Sequence, residues 1–430
     1  MKLFGFKSLQ SFSLNLLPVI LLSILLFACQ DQVSMFGPEK SPDTPNFDAT
    51  TQTTAHGTGH YIVVFDRQQV PADAIGSVLS ELSHRYQFQP EFVYQHALAG
   101  FAGALSPRHV EALRADQRVL RVSPDVKISL FPEPQHHRPN HGGGPPDNGN
   151  GDDPDDGNDE EEEETTQVTP WGIERVGGPL AESGNRAWVI DTGIDLNHAD
   201  LNVNTELGKN CVPRGNNTFD DGNGHGTHVA GTIAAIDNTI DVVGVTESTE
   251  VVPVRVLDNS GSGQLSWIIC GVDHATDNFN TGDVANMSLG GRTTNTSLDD
   301  AVRYAADKGL LFAIASGNSG DDASNFTPAR TGNQHENIYT IAAIDQNDNM
   351  PSWSNFGDPV SYAAPGVGIL STKRNGGTET MSGTSMSAPH VAGLLLLGQL
   401  CDDGTVTGTD RGEYSIAYRC NDSESLVLEE

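Results

Sequence analysis

Between residues 187 and 315, short apolar runs rich in Val, Ile and Ala alternate with longer stretches in which apolar residues recur every three or four positions. The runs predict strands at Ala187–Ile190, Val251–Val256, Val284–Leu289 and Leu310–Ala315. The longer stretches predict helices at His225–Ala235, Gly263–Thr276 and Ser297–Lys308, and a last helix is predicted at Ser385–Leu400. Repeated strand–helix units make a parallel sheet covered by helices on both faces, an α/β domain in three layers. Ligands of such sheets bind beyond the carboxyl ends of the strands, so the residues just past those ends are candidates for chemistry.

A smaller pattern precedes it. Tyr61–Phe65 is a β-branched and aromatic run, Ala74–His84 has helical spacing, Phe92-Val93-Tyr94 is extended, and a second helix near Pro107–Ala115 leads to the strand Val119–Val122. Two helices on a small antiparallel sheet form an α+β unit of ferredoxin-like type over residues 57–131. Residues 132–166 are rich in Gly, Pro and Asn and then carry eleven acidic residues between Asp147 and Glu164 with no Lys or Arg, so they are expected to be an extended linker. At the other end, Lys2 and Lys7 precede the apolar run Leu16–Phe27, which is short for a membrane span and has the order of a secretory signal over residues 1–29. Residues 30–56, rich in Asp, Thr, Pro and Gln, are expected to be a tether.

The 430 residues suffice for two or three domains of roughly 100–200 residues. With 37% hydrophobic residues, 46 Gly and 23 Pro, the chain is globular and loop-rich rather than a coiled coil or polytopic membrane protein. A net charge of −33 repels nucleic acid and anionic lipid and leaves cations as the favoured partners. Export places the cysteines in an oxidising compartment, where Cys211, Cys270, Cys401 and Cys420 are expected to form two disulfides; three pairings are open, and sequence order favours Cys401 with Cys420.

Three segments lie where the sheet rule points: Val189-Ile190-Asp191-Thr192-Gly193, Gly224-His225-Gly226-Thr227-His228, and Ser382-Gly383-Thr384-Ser385-Met386-Ser387-Ala388-Pro389-His390. A serine hydroxyl becomes a nucleophile when an imidazole removes its proton and a carboxylate holds that imidazole. Taken singly, Asp191 ends a strand, His225 sits at a glycine-flanked helix start and Ser385 suits a helix N-cap. Taken together and in this order, the segments resemble the subtilisin-like serine proteases, from about Gln167 to Leu397. Tyr61-Ile62-Val63-Val64-Phe65 and Ala99-Gly100-Phe101-Ala102-Gly103-Ala104-Leu105 resemble the inhibitory propeptide of that family.

The resemblance implies that Asp191 orients His225, His225 acts as general base then acid, and Ser385 attacks the scissile carbonyl; His228 is then a packing neighbour. Asn318, after Leu311–Ala315, matches the family's oxyanion donor together with the N–H of Ser385. Gly261, Ser262 and Gly263, and Ser288, Leu289 and Gly290, match the segments that flank a substrate chain. Ala315, Ser316 and Gly317 would wall the S1 pocket, with Asn325 and Phe326 nearby; no charge fills it, so apolar or aromatic side chains are expected there. A structural Ca2+ site carries over as Gln167, Asp200 and Asn238 by side chain and Ile236, Ile240 and Val242 by carbonyl. Leu26-Phe27-Ala28-Cys29 resembles a lipobox, which makes Cys29 a candidate for lipidation and the precursor a candidate lipoprotein.

The expected protein is thus a secreted, monomeric serine endopeptidase of residues 167–430 that acts on proteins and peptides and is made with its own propeptide as inhibitor. Processing is expected between 131 and 167. The rival is a catalytically inactive homologue that binds peptides in the same cleft. One departure from the family is the tail after Leu397, where Asp402-Asp403-Gly404 and a Cys-bounded segment replace the usual helices.

Overall fold

A computed structural model describes residues 58–133, 166–213, 217–406 and 411–420. The signal, the tether, Cys29 and nearly all of the acidic linker lie outside the described residues.

The small domain runs β1 (Gly59–Phe65), α1 (Ile75–Tyr86), β2 (Phe92–Tyr94), β3 (Gly100–Leu105), α2 (Pro107–Arg114), β4 (Val119–Pro124) and β5 (Lys127–Ser129). Ser106 caps α2 by accepting from His109 N–H at 3.2 Å, while His109 Nδ1 accepts from Ser106 N–H, a reciprocal arrangement that satisfies two orphan donors. The antiparallel sheet has the order β2-β3-β1-β4. Successive residues of a strand face opposite sides, and β1 uses both. Val63 and Phe65 pack with Ile75, Leu82, Phe101 and Leu113 in the small domain's own core, whereas Ile62 and Val64 join the core of the large domain. The unbroken apolar run of β1 follows from this burial on two faces.

The large domain continues with α3 (Trp171–Arg175), β6 (Ala187–Asp191), β7 (Lys209–Asn210), α4 (His225–Ala234), β8 (Val251–Arg255), β9 (Ser262–Gln264) and α5 (Leu265–Asn278). Then come β10 (Val284–Met287), β11 (Gly291–Arg292), α6 (Ser297–Asp307), β12 (Leu311–Ala315), β13 (Phe326–Thr327), β14 (Ile338–Ile344) and β15 (Val360–Pro365). The hairpin β16 (Ile369–Thr372) and β17 (Thr378–Met381), helix α7 (Thr384–Leu396), β18 (Leu400–Thr405) and β19 (Ser415–Arg419) complete it. The main sheet has the order β18-β19-β15-β14-β12-β10-β6-β8-β7 and is parallel except where β18 meets β19. Trp188 of β6 is fully buried, and its Nε1 donates to the buried carboxylate of Asp283, which also pairs with Arg186. A buried charge is tolerable when so partnered. Helices α4 and α7 are buried along their whole lengths, as helices apolar all round must be.

Several boundaries differ from the sequence expectation. Residues 262–264 are a strand, not the start of the helix predicted from Gly263, because β5 pairs with them. The strand predicted over Val284–Leu289 stops at Met287, freeing Ser288–Gly290 for the cleft. The last helix ends at Leu396 instead of Leu400, where Gly398 takes a φ of 62° and turns the chain into β18. The tail is a β-hairpin closing the sheet edge, stapled by Cys401–Cys420; the other disulfide is Cys211–Cys270.

Candidate active site

Three chain reversals deliver the site. Asp191 is the last residue of β6, His225 the first of α4, and Ser385 the second of α7. Helix α4 must come close to the strand end to do this: a Cβ on Gly226 would stand 2.0 Å from the Gly193 carbonyl oxygen, so this position has no room for a side chain. Asp221, fully buried, braces the entry to α4. Its Oδ1 accepts from Thr192 Oγ1 and from the N–H groups of Asn223 and Gly224, and its Oδ2 accepts from the N–H and hydroxyl of Thr227.

His225 Nδ1 lies 2.9 Å from Asp191 Oδ1 and 3.0 Å from Oδ2. Asp191 is fully buried and also accepts from Thr192 N–H at 2.7 Å. Burial alone would push the His225 imidazole down, but the charge and hydrogen bond of Asp191, with Asp221 and Glu133 nearby, outweigh it and raise the pKa above the ordinary histidine value. His228, one turn on, is pushed down to about 3 by burial and by the charge of His225, and hydrogen-bonds through Nε2 to the Ile369 carbonyl; it is a neutral packing residue.

Ser385 Oγ donates to the Ser288 carbonyl at 3.2 Å, and no hydrogen bond joins it to His225. The Ser288 hydroxyl in turn donates to the Ser385 carbonyl at 2.7 Å. Asn318 is oriented by Thr384, whose N–H and hydroxyl both donate to its Oδ1 at 2.9 Å. That leaves the Asn318 amide N–H2 facing the cleft, where it donates to the Pro132 carbonyl at 3.1 Å.

The flanking segments are occupied by the chain's own small domain. Lys127, Ile128 and Ser129 of β5 pair antiparallel with Gln264, Gly263 and Ser262, and Ser129 bridges to Gly290 on the other side. Leu289 is fully buried with the inhibitor segment in place. Gly317 and the Phe326 ring lie against Phe131, Ala315 and Ser316 are fully buried, and the Asn325 amide donates to Asp321. Behind the cleft the two domains lock together through α5. The Asp273 carboxylate accepts from the N–H groups of Gln95, His96, Ala97 and Leu98, and Asp125 accepts from the N–H and hydroxyl of Ser266 in the first turn of α5. An acceptor there complements the helix dipole.

The proposed cation ligands form one network. Gln167 Nε2 donates to the carbonyls of Ile236 at 2.6 Å and Val242 at 3.1 Å, Asn238 Nδ2 donates to Asp200 Oδ1 at 2.6 Å, and Asn238 Oδ1 accepts from Ile240 N–H at 2.7 Å. Two carbonyls converge on a single amide nitrogen, and the fully buried Asp200 carboxylate is pushed up to about 6 by burial. Among the described residues no three His, Cys, Asp or Glu side chains converge, so a transition metal has no ligand set. One carboxylate, two amides and backbone carbonyls fit a hard oxygen-seeking cation once the amides turn their oxygens inward.

Sequence reasoning missed Asp221, which braces the turn into α4 just ahead of His225, and Thr384, which holds Asn318 Oδ1.

Comparison with known proteins agrees with this arrangement. The profile of the subtilase family, peptidase S8, matches residues 188–401, and that of peptidase inhibitor I9 matches residues 60–131. The chain is 44% identical to alkaline elastase YaB of a Bacillus strain over 54% of this chain and 60% of that protein. It is 43% identical to M-protease of Shouchella clausii over 78% of this chain and 80% of that one. The solved structure of a cold-adapted subtilisin-like serine proteinase superposes with a TM-score of 0.51 and 35% identity, covering 60% of this chain and all of the other. The chain belongs to the subtilase family of serine peptidases, with an I9-type propeptide domain ahead of the peptidase fold.

Proposed function

We propose that the protein is an exported serine endopeptidase, made as an autoinhibited precursor, that hydrolyses peptide bonds of proteins through an acyl-enzyme. Residues 1–29 are the signal, with Cys29 the lipidation site of the precursor; 30–56 is a tether, 57–131 the inhibitor, 132–166 the linker and 167–430 the peptidase, acting as a monomer on protein and peptide substrates. A propeptide tethered through Cys29 would stay at the membrane while the enzyme leaves.

His225 takes the Ser385 proton as Oγ attacks the scissile carbonyl, and later gives it to the leaving amine. Asp191 keeps the Nδ1–H tautomer and stabilises the imidazolium. Negative charge that develops on the carbonyl oxygen is met by Asn318 Nδ2 and the Ser385 N–H at the start of α7. The substrate chain takes the place of β5 between Ser262–Gln264 and Gly290, and Ca2+ held by Gln167, Asp200, Asn238 and the carbonyls of Ile236, Ile240 and Val242 fastens the start of the peptidase to the loop after α4.

The observation that carries the reading is that the inhibitor domain lays its own chain against Ser262–Gln264 and gives its Pro132 carbonyl to the Asn318 amide, which Thr384, the residue before Ser385, holds in place, while Asp191 and His225 are paired. The test compares wild type with Ser385→Ala in calcium-containing buffer, following intact mass and hydrolysis of a peptide with Phe before the cut bond. Maturation and hydrolysis in the wild type alone are expected. Equal inactivity of both, even after the propeptide is removed, would leave a peptide-binding homologue as the reading.

A further inference from the structure

The inhibitor's tail lies in the cleft as a strand of a three-stranded antiparallel arrangement, and Leu130 N–H donates to the Gly261 carbonyl at 2.8 Å. Phe131 then turns its ring into the S1 pocket. A Cβ on Gly290 would stand 2.6 Å from its Cζ and one on Gly317 3.2 Å from its Cε1, and the Phe326 ring meets it edge-on with centroids 6.3 Å apart. With the side chain of Phe131 in the pocket, the bond offered to Ser385 is Phe131–Pro132.

Three features work against cutting that bond. The nitrogen that His225 would have to protonate belongs to proline, so a ring carbon stands where other residues carry a hydrogen, and the ring also restricts the conformations open to Phe131. The carbonyl received by Asn318 is that of Pro132, one residue beyond the side chain that fills the pocket. The Ser385 hydroxyl is engaged with the Ser288 carbonyl and not with His225.

We propose that Phe131-Pro132 is a cleavage-resistant stopper: it fills the pocket with an aromatic ring while the proline withholds the adjoining bond, so self-processing cuts the chain beyond Pro132. The inference rests on the protease reading above. The withheld step is the ordinary one, in which the Ser385 Oγ–C bond forms, the C–N bond to Pro132 breaks, and the serine's proton passes through His225 to the departing proline nitrogen.

The experiment uses the full chain in calcium-containing buffer as wild type, Pro132→Ala, Pro132→Ser and Ser385→Ala. Fragment masses and N-terminal sequences are followed in time beside hydrolysis of the Phe peptide. Pro132 is exposed, and both replacements are expected to fold. In the wild type the expected inhibitor fragment retains Phe131-Pro132. Both proline variants should release a fragment ending at Phe131 and show free activity about tenfold sooner, equivalent to about 1.4 kcal/mol off the barrier. A wild-type fragment ending at Phe131, or proline variants cut at the wild-type position and rate, would overturn the stopper and leave the protease standing. A wild type as inert as Ser385→Ala in both assays would overturn both.

Discussion

Replacing Asn318 by Ala tests the electrostatic half of the mechanism. The side chain makes three hydrogen bonds: two received from Thr384 at 2.9 Å hold its oxygen, and one given at 3.1 Å reaches the carbonyl in the cleft. It is one of two donors proposed for the oxyanion, the Ser385 N–H being the other, so the variant keeps half of the hole. Losing such a donor costs about 100–1,000-fold in kcat, or about 3–4 kcal/mol, a range taken from the corresponding asparagine of subtilisin, a relative of this chain. The loss belongs in kcat, because the oxygen becomes anionic only in the transition state. Thr384→Val should act through the same amide. It removes the hydroxyl bond to Oδ1 and the acceptor of the Gly317 N–H but leaves the Thr384 N–H bond; the bond to Oδ1 is a net contribution near 1 kcal/mol, so at least about a fivefold loss is expected. In the Asn318→Ala background the Thr384 change should cost much less, since nothing is left to orient. The assay is steady-state hydrolysis of a Phe peptide by matured enzyme. A kcat within threefold of wild type for Asn318→Ala, or a loss confined to KM, would refute the reasoning.

Asp191→Asn should lower kcat by about 10,000-fold, the scale seen when the carboxylate of such a triad is neutralised. Asp191 raises the His225 pKa and burial lowers it, so removing the carboxylate leaves the downward push. The active form needs neutral His225, so activity rises with pH through that pKa, and the acid limb of the residual activity should move to lower pH; a limb that stays in place would contradict the pairing. Calcium should stabilise the matured enzyme by about 2.7 kcal/mol at one hundred times its Kd, read as a rise in Tm. Chelation should reverse the rise, and Asp200→Ala should abolish it; a Tm indifferent to calcium would remove the site from the account.

The catalytic segments were legible because each sits at a defined junction, a strand end or a helix start, where local residues carry both the turn and the chemistry. The inhibitor domain was legible for a related reason: β1 and the capped α2 follow local rules. The unbroken run Tyr61–Phe65 also held information that a small sheet on its own would not need, since Ile62 and Val64 face the peptidase. Strands β14 and β15 were left unnamed, although Ile338–Ile344 is an apolar run of the same kind as those that marked β6, β8, β10 and β12. The start of α5 was misplaced because Ser262–Gln264 becomes a strand only through a partner 135 residues earlier. Thr384 and Asp221 act through other side chains, and that kind of role has no spacing signature. The positioning of Phe131 and Pro132 likewise needed the cleft before their juxtaposition had meaning.

The hairpin that replaces the family's usual helices at the tail has a consequence for an enzyme that lives among copies of itself. A peptidase that binds substrates as added strands treats any loose extended segment as food, and the edge of a sheet is a place where strands can loosen. Here β19 is paired on both sides and its Arg419 N–H donates to the Val176 carbonyl, while Cys420 is bound back to Cys401. The outermost strand, β18, shows Asp402 and Asp403 to solvent, charges that an acidic neighbour rejects. This edge of the sheet is thus a poor substrate for a second copy of the enzyme, and resistance to self-digestion is decided there as much as in the core.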